Sequence, residues 1–306
     1  GDGDHPLGGL LSLATLRHTG ELLASRGSRW HLAGYGGDET VGVSRAYLRD
    51  LLGSRPGLVF RHLRTHRVLR RWSWRETLRA LADSRSFSRW TADTATALRD
   101  RQLPGFGPQF GWGAAVKLPP WSTPLAADLV RERLLAASAA APLANQRAQH
   151  RAVTAVRAAA HNVRQLAGVL EHAGVSLATP YLDDAVIDAA FAADLAERGD
   201  PTRYKPLLAE AMRPILPAEV RDRHTKGFFA AEGIDGLRRH RTLLVELCAD
   251  LRLAQLGLVN AEALRAALLG PDPSGQTSMA VERTIATELW LRAAARSRPR
   301  TEKGLV

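Results

Sequence analysis

A short apolar run, Trp30 to Ala33, passes directly into Gly34-Tyr35-Gly36-Gly37-Asp38. No other stretch reads as a convincing strand, and this narrows the folds open to the chain. Glycines at 34, 36 and 37 place a tight turn at the strand's C-terminal end, the edge where α/β sheets receive ligands. Backbone amides bare of side chains can approach a phosphate chain there, and Asp38 is placed to hold a magnesium ion. Ordinary strand-to-helix turns use the same residue types, so the turn alone does not fix a function.

Residues 10–25 carry apolar positions at helical spacing before this run, giving a helix, strand, turn, helix order typical of α/β domains. A lone parallel strand cannot bury itself, so its neighbours are expected upstream of Gly1, and the segment reads as truncated on its N-terminal side. After Pro124 the pattern is helical: 125–141, 147–172, 184–196, 201–212, 237–256, 261–269 and 278–295. Within 147–172, Val153, Val156, Ala160, Val163, Ala167 and Leu170 form an apolar stripe expected to face the core. Between Gln102 and Pro124 a Gly-, Pro- and aromatic-rich stretch reads as a structured loop whose rings pack on a core or line a groove. The expected class is helix-rich α/β, one domain over 1–306. In it 1–50 form the remainder of an α/β part, and 51–306 a mainly helical part.

The formal net charge of +11 raises nucleic acid as a partner. Arginine is spread along the whole chain, however, without a nucleic-acid-binding motif, and the expectation is no nucleic acid. One concentration stands out. From Arg61 to Arg75, RHLRTHRVLRRWSWR sets positive charge beside Trp72 and Trp74, a face for an acidic peptide, polyphosphate or RNA, or simply a solvated helix face. Cys248 is the only cysteine and sits among apolar residues, which reads as a buried, inert thiol. With no apolar run of membrane-spanning length and no signal-peptide pattern, a cytoplasmic location and no membrane partner are expected.

Three separated segments together resemble the C-terminal synthetase domain of the asparagine synthetase family. They are AGYGGDETVG at 33–42, PYLDDAVIDAA at 180–190, and the stretch from Lys205 through ILPAEVRDRHTKGFF to 229. The resemblance implies an adenine nucleotide α-hydrolase-like (PP-loop) fold, lacking its N-terminal strands here, with ATP and Mg2+ as cofactors. It gives Gly34, Gly36, Gly37, Asp38 and Lys205 to the nucleotide, with Asp38 also the metal ligand. Lys226 matches the family's catalytic lysine, whose charge stabilises the tetrahedral intermediate and departing nucleotide. A fixed cation in a dry site lowers such a barrier as oxyanion donors do. Residues 180–183 shape the substrate side.

The stretch after Lys226, GIDGLRRHRTLLVELCADLRLAQLGLVNAEALRAAL, resembles the lasso peptide cyclases, macrolactam synthetases of ribosomally made peptides. This implies adenylation of an Asp or Glu side chain of a precursor peptide and attack by the peptide's N-terminal amine. A leader-binding protein and a leader peptidase are implied as helpers. Tyr35 stands where the β-lactam-forming branch has a catalytic tyrosine; its plainer reading is a phenol packed on the turn. Alternatives are a small-molecule amidotransferase of the asparagine synthetase type and a non-catalytic peptide-binding fragment.

Two departures accompany the resemblance. The family's S-G-G-x-D-S motif is absent and is expected in sequence preceding Gly1. A glutamate in the helix after the glycine turn is replaced by an arginine-rich region offering only Asp50 and Glu76, and Glu76 is the candidate for its role. An α-amino group with a pKa near about 8 places a modest demand on any base. His62 and His66 are at i, i+4 spacing without the HExxH glutamate, which argues against zinc. Asp183 and Asp184 precede a helix and read first as capping residues.

Overall fold

The computed structural model describes residues 5, 6, 8, 12–98, 107–114, 116–221, 230–272 and 276–297. In chain order its elements begin α1 (Leu13–Ser25), β1 (Trp30–Leu32), α2 (Gly37–Thr40), α3 (Tyr47–Asp50), α4 (Pro56–Arg70), α5 (Trp74–Leu81), α6 (Phe87–Ala97), α7 (Pro124–Ala137) and α8 (Arg147–Glu171). They continue with β2 (Ser176–Ala178), α9 (Asp184–Ala192), α10 (Leu195–Arg198), α11 (Pro206–Ala211), α12 (Ala218–Arg221), α13 (Ala230–Arg239), α14 (Arg241–Leu247), α15 (Arg252–Gln255), α16 (Ala261–Leu269) and α17 (Gln276–Ser297). Short 3-10 turns occupy Pro180–Leu182 and Cys248–Asp250.

Sequence periodicity predicts one strand, and the structure corrects this. β2 pairs in parallel with β1, Trp30 opposite Ser176 and Leu32 opposite Ala178. Ser-Leu-Ala is too short to show alternation. It becomes a strand because α8 delivers it alongside β1, where the Ser176 N–H donates to the Arg29 carbonyl at 2.9 Å. The Ala33 N–H donates to the Ala178 carbonyl at the same distance, closing the far end. On β1 the side chains of Trp30 and Leu32 are exposed.

Behind the sheet, Leu16 of α1 packs with Leu166 and Leu170 of α8 and with Val175. The stripe on α8 is rotated from its expected position. Ala148, Ala152, Val156, Leu166 and Leu170 are buried, whereas Val153, Ala160, Val163 and Ala167 are only half-buried. Arginine and histidine cause the shift, since Arg147 and His150 are themselves buried on the inner side. Arg147 donates to the carbonyls of Phe110 (3.2 Å) and Arg85 (2.7 Å), and Arg151 to that of Gln109 (3.3 Å). These bonds fasten the glycine-rich loop to α8. Phe110, Trp112 and Trp121 are buried as expected of a structured loop, while Phe106 lies outside the described residues.

A second apolar cluster joins Trp121 to Cys248, Leu251, Leu264, Leu268, Val281 and Ile285. Residues 237–256, expected as one helix, are instead divided among the end of α13, α14, a 3-10 turn and α15. The last of these divisions has its cause 36 residues away in sequence. Glu288 of α17, wholly buried, accepts the N–H groups of Arg252 and Leu253 at 3.0 Å each and so caps a new helix start. Asp194 does the same by accepting the Ala196 N–H at 2.8 Å, splitting the expected 184–196 helix into α9 and α10. Cys248 is buried, and burial raises its thiol pKa.

Candidate functional site at the glycine turn

The turn after β1 has the backbone its glycines permit. Gly36 adopts φ 84°, the left-handed region that costs other residues about 1–2 kcal/mol, and opens α2. It also has no room for a side chain, because a Cβ there would lie 2.4 Å from a methyl of Leu182. Gly37 is similar, with the Tyr181 ring 3.1 Å from such a Cβ. The Pro180–Leu182 turn is therefore seated on the glycine backbone, and the Thr40 hydroxyl locks it by donating to the Tyr181 carbonyl at 2.8 Å. Gly34 differs. A Cβ there would meet nothing within 4 Å.

Asp38 stands in the first turn of α2 with a half-exposed carboxylate. Lys205 reaches it from another part of the chain, Nζ to Oδ1 at 2.8 Å, and the Tyr204 hydroxyl donates to the same oxygen at 3.0 Å. Lys205 precedes α11 with φ 48°, one of two non-glycine residues in the left-handed region among those described. Its ammonium lies 5.3 Å from the Tyr204 ring centroid and 5.9 Å from that of Tyr181, within cation–π range of both. Two aromatic rings and a carboxylate thus hold one cation beside a glycine turn.

Beneath this corner, Arg198 is buried and donates from Nη2 to the carbonyls of Thr40 (3.1 Å) and Gly42 (2.9 Å). These are at the C-terminal end of α2, so Arg198 sets the pose of the helix that carries Asp38. Among the described residues its Nε and Nη1 have no hydrogen-bond partner, and burial lowers its pKa. The next residue, Gly199, lies flat on Tyr47, whose ring is 2.8 Å from where a Cβ would be. Tyr47 hydroxyl and His62 Nδ1 share a 2.9 Å bond, and His66 stacks on Trp72. Burial, with the charge of Arg45 next, drives His66 down to about 4. The i, i+4 histidine pair is therefore structural, bonded to a phenol.

The structure brings Gly34, Gly36, Gly37, Asp38 and Lys205 together, with Tyr35, 39% exposed, inside the same turn. Lys226 lies outside the described residues. Glu76 is exposed in the first turn of α5, where its N–H is capped by the Ser73 hydroxyl at 3.2 Å. Among the described residues no hydrogen bond or ion pair joins it to the turn. Asp50 is committed elsewhere, accepting the N–H groups of Arg147 (3.0 Å) and Ala148 (2.7 Å) at the start of α8. Asp183 caps α9 through the Ala185 N–H at 3.0 Å. Tyr204 and Arg198 carried no sequence signal, since their roles depend on a strained backbone at 205 and on a contact across 158 residues.

Residues 3–292 match the family model described as Asparagine synthase. The chain belongs to the asparagine synthase family. Its members are ATP-dependent ligases that form carbon–nitrogen bonds. Searches of curated proteins and of solved structures gave no match. Among the described residues no helix is long and apolar enough to cross a membrane.

Among the described residues no group of three or more His, Cys, Asp or Glu is placed to hold a metal. A metal held at Asp38 would have to take its remaining ligands from water and phosphate oxygens, a coordination that suits Mg2+. The open space over Gly34 leaves that backbone accessible to a phosphate, and Lys205 supplies a cation beside it.

Proposed function

We propose that this chain is the synthetase part of a lasso peptide cyclase, which adenylates an Asp or Glu side chain of a precursor peptide and closes a macrolactam with the peptide's N-terminal amine. AMP and pyrophosphate leave. The observation that supports the ligase part of the reading is the Asp38–Lys205 pair on a glycine turn at the end of β1. When bound, ATP with Mg2+ supplies the adenylyl group that makes the carboxylate reactive.

Asp38 would hold the metal, the backbone amides of Gly34 to Gly37 would receive phosphate oxygens, and Lys205 would offer its ammonium to the phosphate in place of the Asp38 carboxylate. Lys226 neutralises charge developing on the carbonyl oxygen and the departing phosphate. Tyr35, exposed in the turn, is the first candidate to assist the attacking amine, and Glu76, which stands apart from the turn, the second. The PP-loop character of the fold, and the division into 1–50 and 51–306, belong to the same proposal. So do Mg2+, the leader-binding protein and leader peptidase, and the cytoplasmic setting.

The peptide substrate is favoured by residues 233–268, whose sequence resembles the cyclases and which build α13 to α16. The second reading, a small-molecule amidotransferase, shares the Asp38–Lys205 corner. Pyrophosphate exchange into ATP, measured on the full-length chain, separates them. Exchange that requires the precursor peptide is expected; exchange with free aspartate alone makes it an amidotransferase, and none with either leaves a binding fragment.

A further inference from the structure

The basic run singled out in the sequence takes a form that a solvated face does not require. Trp72 is buried at the corner between α4 and α5, with His66 stacked on it. Around that anchor, the outer side of α4 sets Phe60 (49% exposed), Arg64 and Val68 (66%) at intervals of four, with Arg61 beside them. α5 repeats the pattern with exposed Trp74 and Leu78 flanked by Arg75 and Arg79. Arg67 joins the two surfaces: it donates to the Trp72 carbonyl at 3.1 Å and lies over the Trp74 ring at 4.4 Å. Trp74 is held outward in one pose before any partner arrives.

Charge on this surface lacks its counterpart. Among the described residues none of Arg61, Arg64, Arg70, Arg75 or Arg79 is in an ion pair, and Glu76 is the only acid between residues 56 and 79. Clustered like charges repel, and exposed apolar side chains among them gain nothing from water. A chain of net charge +11 is a poor partner for itself here. Phosphate backbones would satisfy the arginines but leave Phe60, Val68 and Leu78 uncovered, whereas a peptide with alternate acidic and apolar groups covers both.

We propose that the outer faces of α4 and α5 dock an acidic peptide segment of a partner protein, whose apolar side chains pack on Phe60, Val68, Trp74 and Leu78 while its carboxylates meet the arginines. Rigid Trp and Arg groups at the centre of such a patch are the usual carriers of binding energy. This surface is separate from the Asp38 corner, and the docking rests on it alone.

Fluorescence anisotropy on the full chain tests it with a labelled amphipathic peptide built from Glu, Ala, Leu and Phe. Poly-glutamate, single-stranded RNA and phosphatidylserine vesicles serve as competing probes. The amphipathic peptide is expected to bind about tenfold more tightly than poly-glutamate, with affinity falling as salt rises. Arg64→Glu, Arg75→Glu and Trp74→Ala should each weaken it by about tenfold or more while circular dichroism stays unchanged. Equal binding of poly-glutamate, tighter binding of RNA or vesicles, no peptide binding, or no effect of the three substitutions would each overturn the proposal.

Discussion

Lys205 places its ammonium 2.8 Å from the Asp38 carboxylate from a backbone with φ 48°. The local chain does not favour this conformation. Tertiary contacts hold it: α11 begins at the next residue with Pro206, and the rings of Tyr181 and Tyr204 flank the cation. Backbone strain held beside a reactive pair is a usual mark of a ligand site.

Replacing Lys205 exposes that strain. Lys205→Gly and Lys205→Ala both delete the ion pair, but only alanine keeps the left-handed penalty. The glycine variant should be more stable in urea by about 0.5–1 kcal/mol, after allowing for its freer unfolded chain. Equal midpoints would show that no strain resides at 205.

The glycines of the turn divide by what they face. Gly36→Ala meets both a φ of 84° and Leu182 at 2.4 Å, and should destabilise the fold by about 2 kcal/mol or more. Gly34→Ala meets nothing within 4 Å and should leave stability unchanged. In pyrophosphate exchange the Gly34 variant should nonetheless lose activity, since its methyl occupies the space open to a phosphate. Full exchange activity would remove Gly34 from the nucleotide site.

Arg198 binds two carbonyls at the end of α2 but buries two nitrogens without hydrogen-bond partners among the described residues. Bonds from a charged donor outweigh those orphaned groups if the clamp is structural. Arg198→Met is then expected to cost about 2–3 kcal/mol in a urea titration. Arg198→Lys should recover part of this, since an ammonium keeps the charged donor on a shorter side chain. A methionine variant as stable as the parent would mean that the desolvation cost prevails.

Glu288 links stability to acid pH. Burial raises its pKa, but the Arg292 side chain and the backbone N–H groups of Leu253 and Arg252 outweigh it, holding the carboxyl below the ordinary glutamate value. The unfolded state thus binds the proton first as pH falls. Its contribution is present above the unfolded pKa of about 4.3 and is lost as pH drops through the lower folded value. Urea midpoints of the parent and of Glu288→Gln should differ most above the unfolded pKa and converge as pH falls through the lower folded value. A constant gap across that range would exclude an ionised Glu288 as the cap of α15.

Local sequence determined the parts whose physics is local. The glycine turn after an apolar run could be read because positive φ and close approach demand glycine. The bounds of α16 could be read because its period and its Asn260 cap are contiguous, the Asn260 side chain accepting the Ala263 N–H at 2.9 Å. Burial of Cys248 and of the loop aromatics followed from apolarity alone.

Tertiary structure decided whatever depended on groups distant in sequence. β2 is a strand only because β1 lies beside it, and the helix expected over 237–256 restarts at Arg252 because Glu288 caps it there. α8 turned its stripe to bury Arg147, which no apolar count anticipates, since the carbonyls that satisfy that arginine belong to residues 85 and 110. The candidate site divides the same way: the sequence supplied Asp38 and Lys205 separately, and the fold joined them and added Tyr204 and Arg198. Dihedral preference and periodicity act within a few residues along the chain, whereas desolvated charges and carbonyls must find partners wherever the packed chain puts them.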